Sequence, residues 1–428
     1  MATTITVFEG GRVDVPTGPS ADRARVRLLG TAVGGRQAFV TRNGNVYAAD
    51  CAGAVDLGDF RVEVLPKVFG VQDKVAGRAF MYDLLECTGH DAIVGWNRGG
   101  AGDTDCNLLE AVERQAVTEL LTRLESGVPR RYIPVEEVTP VIRGRINFSR
   151  YVRQLPSDSH RVPVRYSPLT RDNQLSRVLK ALASHLSQRT RTYTVRRDLD
   201  RCIGLLHEVK SSELTADLAR SVRLGRLERD WDRVIELAEL LATSRSPDPT
   251  LLGATSQPTL LFPLNRLFES VVRRVLVEEL LGPLQCEPKS RAFPFLTVPK
   301  TSSVALGVRP DFTFTSGEDF VGVGDAKWKS LTASDPRHGV APADVYQILA
   351  YMRRLKTQRG LLFYPKVDWM ASAWSASFGV HGTDETVSAI SVDLAKIVSR
   401  DRTTRNVARS SFAARVQAML APAATVSV

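Results

Sequence analysis

The sequence predicts an α+β protein with several domains. Three observations lead to this fold class: short runs rich in β-branched and aromatic residues near the N-terminus, helical spacing of apolar residues through the middle, and two alternating runs between helices in the last third. We expect a β-rich N-terminal region with helices at residues 1–170, a helical, arginine-rich connecting region at 171–250, and a C-terminal α/β core at 251–428 whose mixed central sheet is flanked by helices. A chain of 428 residues is long enough for two or three such cores.

Short strands are predicted in the first 65 residues. The β-rich runs cover residues 25–29, 38–41, 45–49 and 60–65, and Gly, Asn and Asp separate them. Asn43-Gly44 lies between two of these runs, and both residue types tolerate the positive φ angles that a tight turn requires. The sequence therefore predicts a hairpin at this point.

Helical spacing follows Pro66, where apolar residues recur at three- and four-residue intervals around residues 75–85 and 108–121. Residues 172–189 and 212–241 also have an amphipathic pattern and are predicted to be helices. In the second of these, four arginines at three-residue steps form a stripe, for which a solvated face is favoured over a phosphate track: Arg220, Arg223, Arg226 and Arg229. Residues 244–250 are rich in Ser and Pro and mark the best domain boundary.

Arginine and aromatic residues alternate between residues 129 and 171. The set consists of Arg130, Arg131, Arg143, Arg145, Arg150, Arg153, Arg161 and Arg165 with Tyr132, Phe148, Tyr151 and Tyr166. Guanidinium groups can fork onto phosphates and aromatic rings can stack on bases, so a surface that binds DNA or a protein partner is one interpretation, with Arg143 and Arg145 as candidate contacts. A solvated basic face is the other, and the residues alone leave the choice open.

The charge balance bounds the partners of the protein. A formal charge of +10 and a pI near 9.5 attract polyanions, so nucleic acid is the leading candidate partner and a merely basic soluble protein is the alternative. No apolar stretch approaches the roughly 18 to 20 residues of a membrane span, and the N-terminus has no leader pattern, so we expect a cytoplasmic protein without membrane contact. Scattered cysteines and histidines lack CxxC, HxH and HExxH spacing, which argues against zinc and disulfides.

The residues with the clearest chemistry lie after position 255. A helix is predicted to open near Pro263, with Glu269 beside an apolar face formed by Leu264, Leu267, Phe268, Val271, Val272, Val275 and Leu276. Asp311 then stands at the start of an alternating run. After a turn, a second run carries Asp325 and Lys327, which share a face because they are two residues apart. Two carboxylates and one ammonium can thus converge at neighbouring strand ends.

This trio suits phosphodiester hydrolysis. Hard Mg²⁺ prefers carboxylate and carbonyl oxygens, so Asp311, Asp325 and the backbone carbonyl of Ala326 are the expected ligands, with Mn²⁺ as an alternative ion. A bound cation acidifies its water and neutralises the scissile phosphate. The compact charge of Lys327 could orient the attacking water and stabilise the transition state.

Further candidate residues flank the trio. Gln347 and Tyr351 lie one turn apart on a predicted helix and could contact the carboxylates or DNA. Lys329 is a candidate DNA or partner contact. Gly322 and Gly324 remove side chains from the second strand, which would let DNA or a neighbouring strand come near the metal.

An isolated Asp-x-Lys is usually a surface ion pair, so the order of elements carries the prediction. Glu269 on a helix, Asp311 on a strand, Asp325 and Lys327 on the next strand and a Gln-x-x-x-Tyr helix together indicate a nuclease. His338, in the loop before that helix, is expected to be solvent-exposed, with a DNA contact as the alternative.

This arrangement resembles the PD-(D/E)xK nuclease superfamily, with a Gln-x-x-x-Tyr element similar to that of RecB-type nucleases. The closer resemblance is to the McrC family, the nuclease subunit of McrBC restriction systems. It rests on residues 264–269, 309–311, 324–329, 346–351 and 362–365, and more thinly on residues 62–67, 143–146 and 172–175.

The resemblance implies a subunit whose N-terminal region docks onto a hexameric ring of McrB, a AAA+ GTPase. It further implies that the subunit stimulates the ring's hydrolysis and couples translocation to cleavage of methylated or otherwise modified double-stranded DNA. The sequence contains no G-x-x-x-x-G-K-[ST] loop, so we expect this chain to bind no nucleotide itself.

Two other hypotheses remain open from the sequence. In the first, the protein is a non-catalytic activator and scaffold of a AAA+ ring, and the acidic residues serve structure. In the second, it is a stand-alone DNA repair nuclease of the RecB type, against which the long N-terminal region argues mildly.

Overall fold

The computed structural model describes residues 3–15, 21–58, 60–71, 73–89, 108–153, 160–190, 192–243, 245–247, 256–299, 301, 303–334 and 336–421. These residues form a mixed α+β protein, which confirms the predicted class. There are two compact units: a smaller unit of residues 109–245, and a larger unit in which residues 2–108 join residues 246–428. The predicted division into 1–170, 171–250 and 251–428 does not follow these units, and as a statement about independent domains it stays a prediction.

The N-terminal segment of the larger unit contains short strands and two helices. They are β1 (Thr3–Phe8), β2 (Arg12–Val13), α1 (Ala21–Gly30), β3 (Ala32–Val33), β4 (Arg36–Gln37), β5 (Phe39–Arg42), β6 (Asn45–Ala48), β7 (Cys51–Asp56), β8 (Phe60–Leu65) and α2 (Lys74–Cys87). The predicted hairpin is confirmed, since β5 and β6 pair antiparallel and the turn residues Asn43 and Gly44 have φ angles of 49° and 75°. The helix expected around residues 75–85 is also confirmed as α2.

One predicted strand is wrong, because residues 25–29 lie inside α1. Ala24 and Leu28 are buried four residues apart, while the β-branched Val26 between them is 48% exposed. Leu28 packs in a core with Phe39 of β5. A buried period of four requires a helix, so tertiary packing outweighs the strand propensity of the local sequence.

The smaller unit combines short strands with helices. It contains most of α3 (Leu108–Ser126), then β9 (Arg131–Tyr132), β10 (Val135–Thr139), β11 (Arg145–Ile146), α4 (Phe148–Tyr151), β12 (Val162–Tyr166), β13 (Leu169–Thr170), α5 (Gln174–Ser187), α6 (Tyr193–Leu205), α7 (Ala216–Arg220), a 3-10 helix (Arg226–Trp231) and α8 (Asp232–Thr243). β10 and β11 both pair antiparallel with β12. The β character predicted for residues 129–171 and the helix predicted within residues 172–189 are therefore confirmed.

The continuous helix predicted over residues 212–241 is wrong. Extended backbone at Gly225, with φ −76° and ψ 173°, separates α7 from the 3-10 helix. Glu228 accepts a hydrogen bond from the Gly225 N–H and forms an ion pair with Arg131 at 2.5 Å, which fixes the interruption. The four arginines of the predicted stripe consequently do not share one helix face.

The C-terminal segment of the larger unit carries the remaining elements. They are β14 (Arg245–Pro247, at the boundary of the units), β15 (Ser256–Pro263), α9 (Leu264–Glu279), β16 (Leu284–Cys286), β17 (Phe293–Thr297), β18 (Val304–Val308), β19 (Phe312–Ser316), β20 (Asp319–Ala326), α10 (Pro342–Leu355), β21 (Arg359–Pro365), β22 (Ser375–Gly379), β23 (Thr386–Val392), α11 (Leu394–Ile397) and α12 (Arg402–Leu420). β15 pairs antiparallel with β7, in a sheet ordered β1-β8-β7-β15-β14. This pairing ties the two segments of the larger unit together.

A six-stranded mixed sheet forms the centre of the C-terminal segment, in the order β16-β19-β20-β21-β23-β22. β20, β21 and β23 run parallel, and the other neighbouring pairs run antiparallel. α10 connects β20 to β21 and packs on both strands. The predicted apolar face of α9 is confirmed in full, since all seven of its residues are buried.

Two general expectations can be compared with the described part of the chain. No helix there combines the length and apolarity of a membrane span. Cys51, Cys87, Cys202 and Cys286 are buried free thiols, whereas Cys106 lies outside the described residues. Burial raises the pKa of each of these four thiols, which keeps them protonated.

Candidate functional site

Asp311 and Asp325 are brought together by the antiparallel pairing of β19 with β20. Phe312 of β19 pairs with Gly324 of β20. Asp311, which directly precedes β19, therefore lies beside the C-terminal end of β20. The Asp311 Oδ2 atom accepts a hydrogen bond of 2.8 Å from the Ala326 N–H. The first predicted carboxylate is therefore fixed against the strand end that carries the second.

Lys327 continues the strand geometry beyond β20. Its N–H donates to the Phe363 carbonyl at 2.9 Å, extending the parallel pairing with β21. Asp325 and Lys327 thereby share a face, as their spacing predicts, and the Lys327 Nζ atom lies 2.5 Å from Asp325 Oδ2. The three predicted central residues form one cluster.

The helix α10 supplies a second partner to this ammonium. Lys327 Nζ donates to Gln347 Oε1 at 2.6 Å, and Gln347 Nε2 donates to the Tyr351 hydroxyl at 2.5 Å. Gln347 therefore contacts the lysine, whereas a contact with the carboxylates or DNA was expected. The pKa of Tyr351 is raised to about 12, mainly by burial. The hydrogen bond with Gln347 lowers this pKa and the charges of Asp325 and Asp311 raise it, and the net effect keeps the phenol protonated.

Glu269 reaches the cluster through an arginine. It forms an ion pair of 2.7 Å with Arg273, one turn along α9. Arg273 also donates to the Asp311 carbonyl, and its guanidinium lies 4.9 Å from the centre of the Phe312 ring. Glu269 is therefore linked through Arg273 to the backbone of Asp311, just before β19. This link helps to hold Asp311 in place.

Burial dominates the electrostatics of the site. It raises the pKa of Asp311, and the neighbouring charges of Asp325 and Glu269 raise it further. Burial also raises the pKa of Asp325. The nearby Lys327 ammonium lowers this pKa, and the charge of Asp344 raises it. Acidic groups have been concentrated in a place that disfavours their charged forms, an arrangement that a cation would stabilise.

The donor set fits a hard divalent cation. Among the described residues, no group of three or more His, Cys, Asp or Glu side chains is arranged to ligate a metal. A cation here would depend on Asp311, Asp325 and backbone oxygen, with Ala326 as the predicted carbonyl ligand. Carboxylate and carbonyl oxygens completed by water are the usual environment of Mg²⁺, so these residues fit that ion.

Asp344 was missed by the sequence analysis as a site residue. It is only 4% exposed, in the first turn of α10. Both its oxygens accept from Lys329 Nζ at 2.9 Å, and Oδ2 accepts from the Tyr364 hydroxyl at 3.3 Å. Acidic residues are common in the first turn of a helix, where they interact favourably with the helix dipole. The sequence therefore gives no sign that Asp344 belongs to the site, and only its contacts with residues of β21 and of the segment after β20 show it.

The two glycines of β20 face protein, so of the two expected possibilities the close approach of a neighbouring strand is confirmed and DNA does not lie there. A Cβ atom at Gly322 would lie 2.3 Å from a methyl group of Leu420 in α12. A Cβ atom at Gly324 would lie 2.9 Å from the Phe363 ring. Their function is close packing of the sheet against its own core.

The remaining predicted residues lie outside the cluster formed by Asp311, Asp325 and Lys327. Arg143 and Arg145 are exposed in the smaller unit. Lys329 has a side chain 52% exposed while it pairs with Asp344. The expected solvent-exposed position of His338 is wrong, because its ring is partly buried and stacks on Trp369 with centroids 5.8 Å apart.

Comparisons with known proteins agree with this architecture. A family model described as the McrBC 5-methylcytosine restriction system component matches residues 46–365. No curated protein matches the chain. A chain in the structure of a tetradecameric assembly of Thermococcus gammatolerans McrB AAA+ hexamers with bound McrC has a TM-score of 0.69 at 19% identity, over 95% of this chain and 99% of that chain.

A chain in the cryo-EM structure of the Thermococcus gammatolerans McrBC complex has a TM-score of 0.49 at 21% identity, over 65% of this chain and 89% of that chain. The first of the two structural matches shows a common fold. The family model spans more than half of the chain and includes Asp311, Asp325 and Lys327. The predicted membership of a McrBC-type family is thereby confirmed: the chain belongs to the family of McrBC 5-methylcytosine restriction system components.

Proposed function

We propose that this chain is the DNA endonuclease subunit of a nucleotide-driven, modification-dependent restriction complex, with a nuclease core of the PD-(D/E)xK type. The observation that carries the proposal is the position of the Lys327 ammonium, between Asp325 at 2.5 Å and Gln347 at 2.6 Å, with Asp311 held against the same strand end. This is the constellation of two carboxylates and one ammonium that metal-assisted phosphodiester hydrolysis needs.

Each residue has a distinct part in the proposed reaction. Asp311, Asp325 and the Ala326 carbonyl would hold Mg²⁺ or Mn²⁺. When bound, such a cation supplies positive charge against the scissile phosphate and acidifies water. Lys327 supplies a compact charge that stabilises the negative charge developing on the phosphate oxygens. Gln347 fixes the direction of Lys327, and Tyr351 fixes Gln347.

The proposed partners are a McrB-like AAA+ GTPase ring and methylated or otherwise modified double-stranded DNA. Support comes from the family membership and from the fold shared with a chain of an assembly that contains McrB hexamers and McrC. The formal charge of +10 suits a polyanionic substrate. We further propose that the ring supplies nucleotide hydrolysis, which this chain stimulates.

The smaller unit offers a surface for such a partner. Apolar side chains are exposed beside the two predicted arginines: Ile142 is 60%, Phe148 66% and Val152 81% exposed. Arg143 and Arg145 lie within the same stretch and are also exposed. Exposed apolar groups beside arginines are typical of protein interfaces, so we assign this stretch to the partner ring.

A second candidate function is a non-catalytic activator and scaffold of the ring. It is favoured by the internal neutralisation of the acids, since Asp325 pairs with Lys327 and Glu269 pairs with Arg273. In that case the cluster would stabilise the fold and cut no DNA. The RecB-type stand-alone hypothesis loses weight because the family model extends across both compact units.

The test uses the full chain together with its ring partner and modified double-stranded DNA, with cleavage and nucleotide hydrolysis assayed separately. Asp325→Ala and Asp311→Asn are expected to abolish cleavage and leave the stimulation of hydrolysis unchanged. Asp393→Asn is the matched control, because Asp393 is a buried acid that pairs with Lys366 at 3.3 Å. Undiminished cleavage by folded Asp325→Ala protein contradicts the nuclease proposal and favours the scaffold.

A further inference from the structure

We propose that Asp344 is a positioning residue that receives the Lys327 ammonium when a divalent cation binds at Asp325. The inference rests on the proposed function and adds to it a residue outside the predicted site. Lys327 would have two alternative carboxylate partners, one on β20 and one on α10, and would use them in different states of the site.

The ammonium and a cation compete for the same carboxylate. Lys327 Nζ lies 2.5 Å from Asp325 Oδ2, in the position of a strong charge-assisted hydrogen bond. A divalent cation at that carboxylate would repel the ammonium strongly at such short range. Metal binding therefore requires that Lys327 withdraw from Asp325 without leaving the site.

Asp344 lies where the withdrawn ammonium can go. Its Oδ1 atom is 3.7 Å from Lys327 Nζ. A shift of roughly 1 Å would reach the usual length of a charged hydrogen bond. Gln347 Oε1 accepts from the same ammonium at 2.6 Å and can remain bonded during the shift, because an ammonium has three donors. Gln347 would serve as the pivot.

Asp344 already accepts hydrogen bonds at this position and can accept another. The residue is 4% exposed, and Lys329 and Tyr364 already donate to it. Two carboxylate oxygens provide about four acceptor positions, so capacity remains for a further donor. The charge of Asp344 is also felt at Asp325, which places both carboxylates in one electrostatic environment.

The test measures Mn²⁺ binding to the full chain by titration calorimetry, without DNA or partner, so that its readout does not depend on cleavage. Asp344→Asn is expected to weaken Mn²⁺ binding by about tenfold, because Lys327 then competes for Asp325 without an alternative. In a Lys327→Met background the same change is expected to have little effect. An equal weakening in both backgrounds would mean a simple loss of negative charge and would overturn the inference.

A control variant and a replacement variant accompany this test. Asp393→Asn is the charge-matched control and should leave Mn²⁺ binding unchanged. If Asp344→Asn does not fold, as judged by its thermal midpoint, Lys329→Met replaces it. That variant frees Asp344 for Lys327 and should tighten Mn²⁺ binding only while Lys327 is present.

Asp311→Asn separates the two proposals. If Asp311→Asn binds Mn²⁺ as tightly as the unaltered protein, the proposed metal site is wrong, and the proposed nuclease mechanism is wrong with it. Loss of binding by Asp311→Asn together with additive effects of the Asp344 and Lys327 changes would overturn only the present inference.

Discussion

The Trp328 indole Nε1 donates a hydrogen bond to Glu9 Oε1. Glu9 follows β1 at the start of the chain, whereas Trp328 stands between the two lysines of the candidate site. The Trp328 ring also packs edge-on against Phe268 of α9, with centroids 5.6 Å apart. The N-terminal segment is therefore attached directly to the strand end that bears the site, which explains why both segments belong to one compact unit.

Glu9 makes the stability of the larger unit depend on pH. The pKa of Glu9 is raised from 4.5 to about 7. Burial is the largest cause, the hydrogen bond from Trp328 acts in the opposite direction, and the charge of Asp50 adds to the rise. A raised carboxyl pKa means that the folded state binds more protons than the unfolded state. The resulting stabilisation is complete below pH 4.5 and is lost as the pH rises through about 7.

Glu9→Gln should therefore keep the acceptor for Trp328 and remove this pH dependence. We expect the variant to gain up to about 3 kcal/mol over the unaltered protein at pH 8 and almost nothing at pH 4. Thermal midpoints of both proteins across this range measure the difference. A difference that does not change with pH would contradict the assignment.

Gly53 lies where the backbone of β15 leaves no room for a Cβ atom. Its φ angle is +134°, and a Cβ atom would lie 2.0 Å from the Leu260 carbonyl oxygen of β15. Gly53→Ala should destabilise the larger unit by about 3 kcal/mol or more, because the clash is with backbone and the pairing of β7 with β15 must open.

Gly44→Ala is the matched control, since Gly44 also has a positive φ but nothing lies within 4 Å of its Cβ position. Only the backbone strain of about 1 kcal/mol is expected there. Denaturation followed by tryptophan fluorescence compares the two variants, and equal losses of stability would show that φ alone matters at Gly53.

Asn173 in the smaller unit caps α5 and holds a loop at the same time. Its Oδ1 accepts from the Ser176 N–H at 3.0 Å, and its Nδ2 donates to the Pro129 carbonyl at 3.0 Å. Asn173→Asp preserves the cap but sets an oxygen against that carbonyl in a site only 2% exposed. We expect a loss of about 2 kcal/mol or more in the free energy of unfolding, despite the equal capping ability of Asp.

Asn147→Asp supplies the comparison for this prediction. Asn147 caps α4 by accepting from the Arg150 N–H at 3.2 Å, and it is only partly buried. Its replacement should change the stability by less than about 0.5 kcal/mol. If both variants lose the same stability, the donor function of Asn173 is unimportant.

Gln347 and Tyr351 should behave as one unit in catalysis. Gln347→Ala removes the acceptor of Lys327, whereas Tyr351→Phe removes only the group that holds Gln347. We expect cleavage rates to fall about 10- to 100-fold for the first and less for the second. Adding Tyr351→Phe to Gln347→Ala should change little, and multiplicative losses in single-turnover cleavage would instead indicate independent DNA contacts.

The extent of prediction from sequence differs between elements. The buried face of α9 was predicted residue by residue, because a helix that packs on one side displays its burial as a period in the sequence. The turn at Asn43 and Gly44 was predicted because its φ angles select these residue types. Residues 25–29 were misassigned because a short run with one β-branched residue fits either element until its neighbours are known.

The candidate site divides in the same way. Asp325 and Lys327 share a face because a strand repeats every two residues, and Gln347 and Tyr351 meet because a helix repeats about every four, so local geometry determined these pairs from the sequence alone. The meeting of Lys327 with Gln347, the approach of Asp344 and the attachment of Glu9 depend on distances across strands and helices that no local period encodes. Only the tertiary structure decided them, because burial and the pairing of β20 with β21 set which side chains share one low-dielectric space.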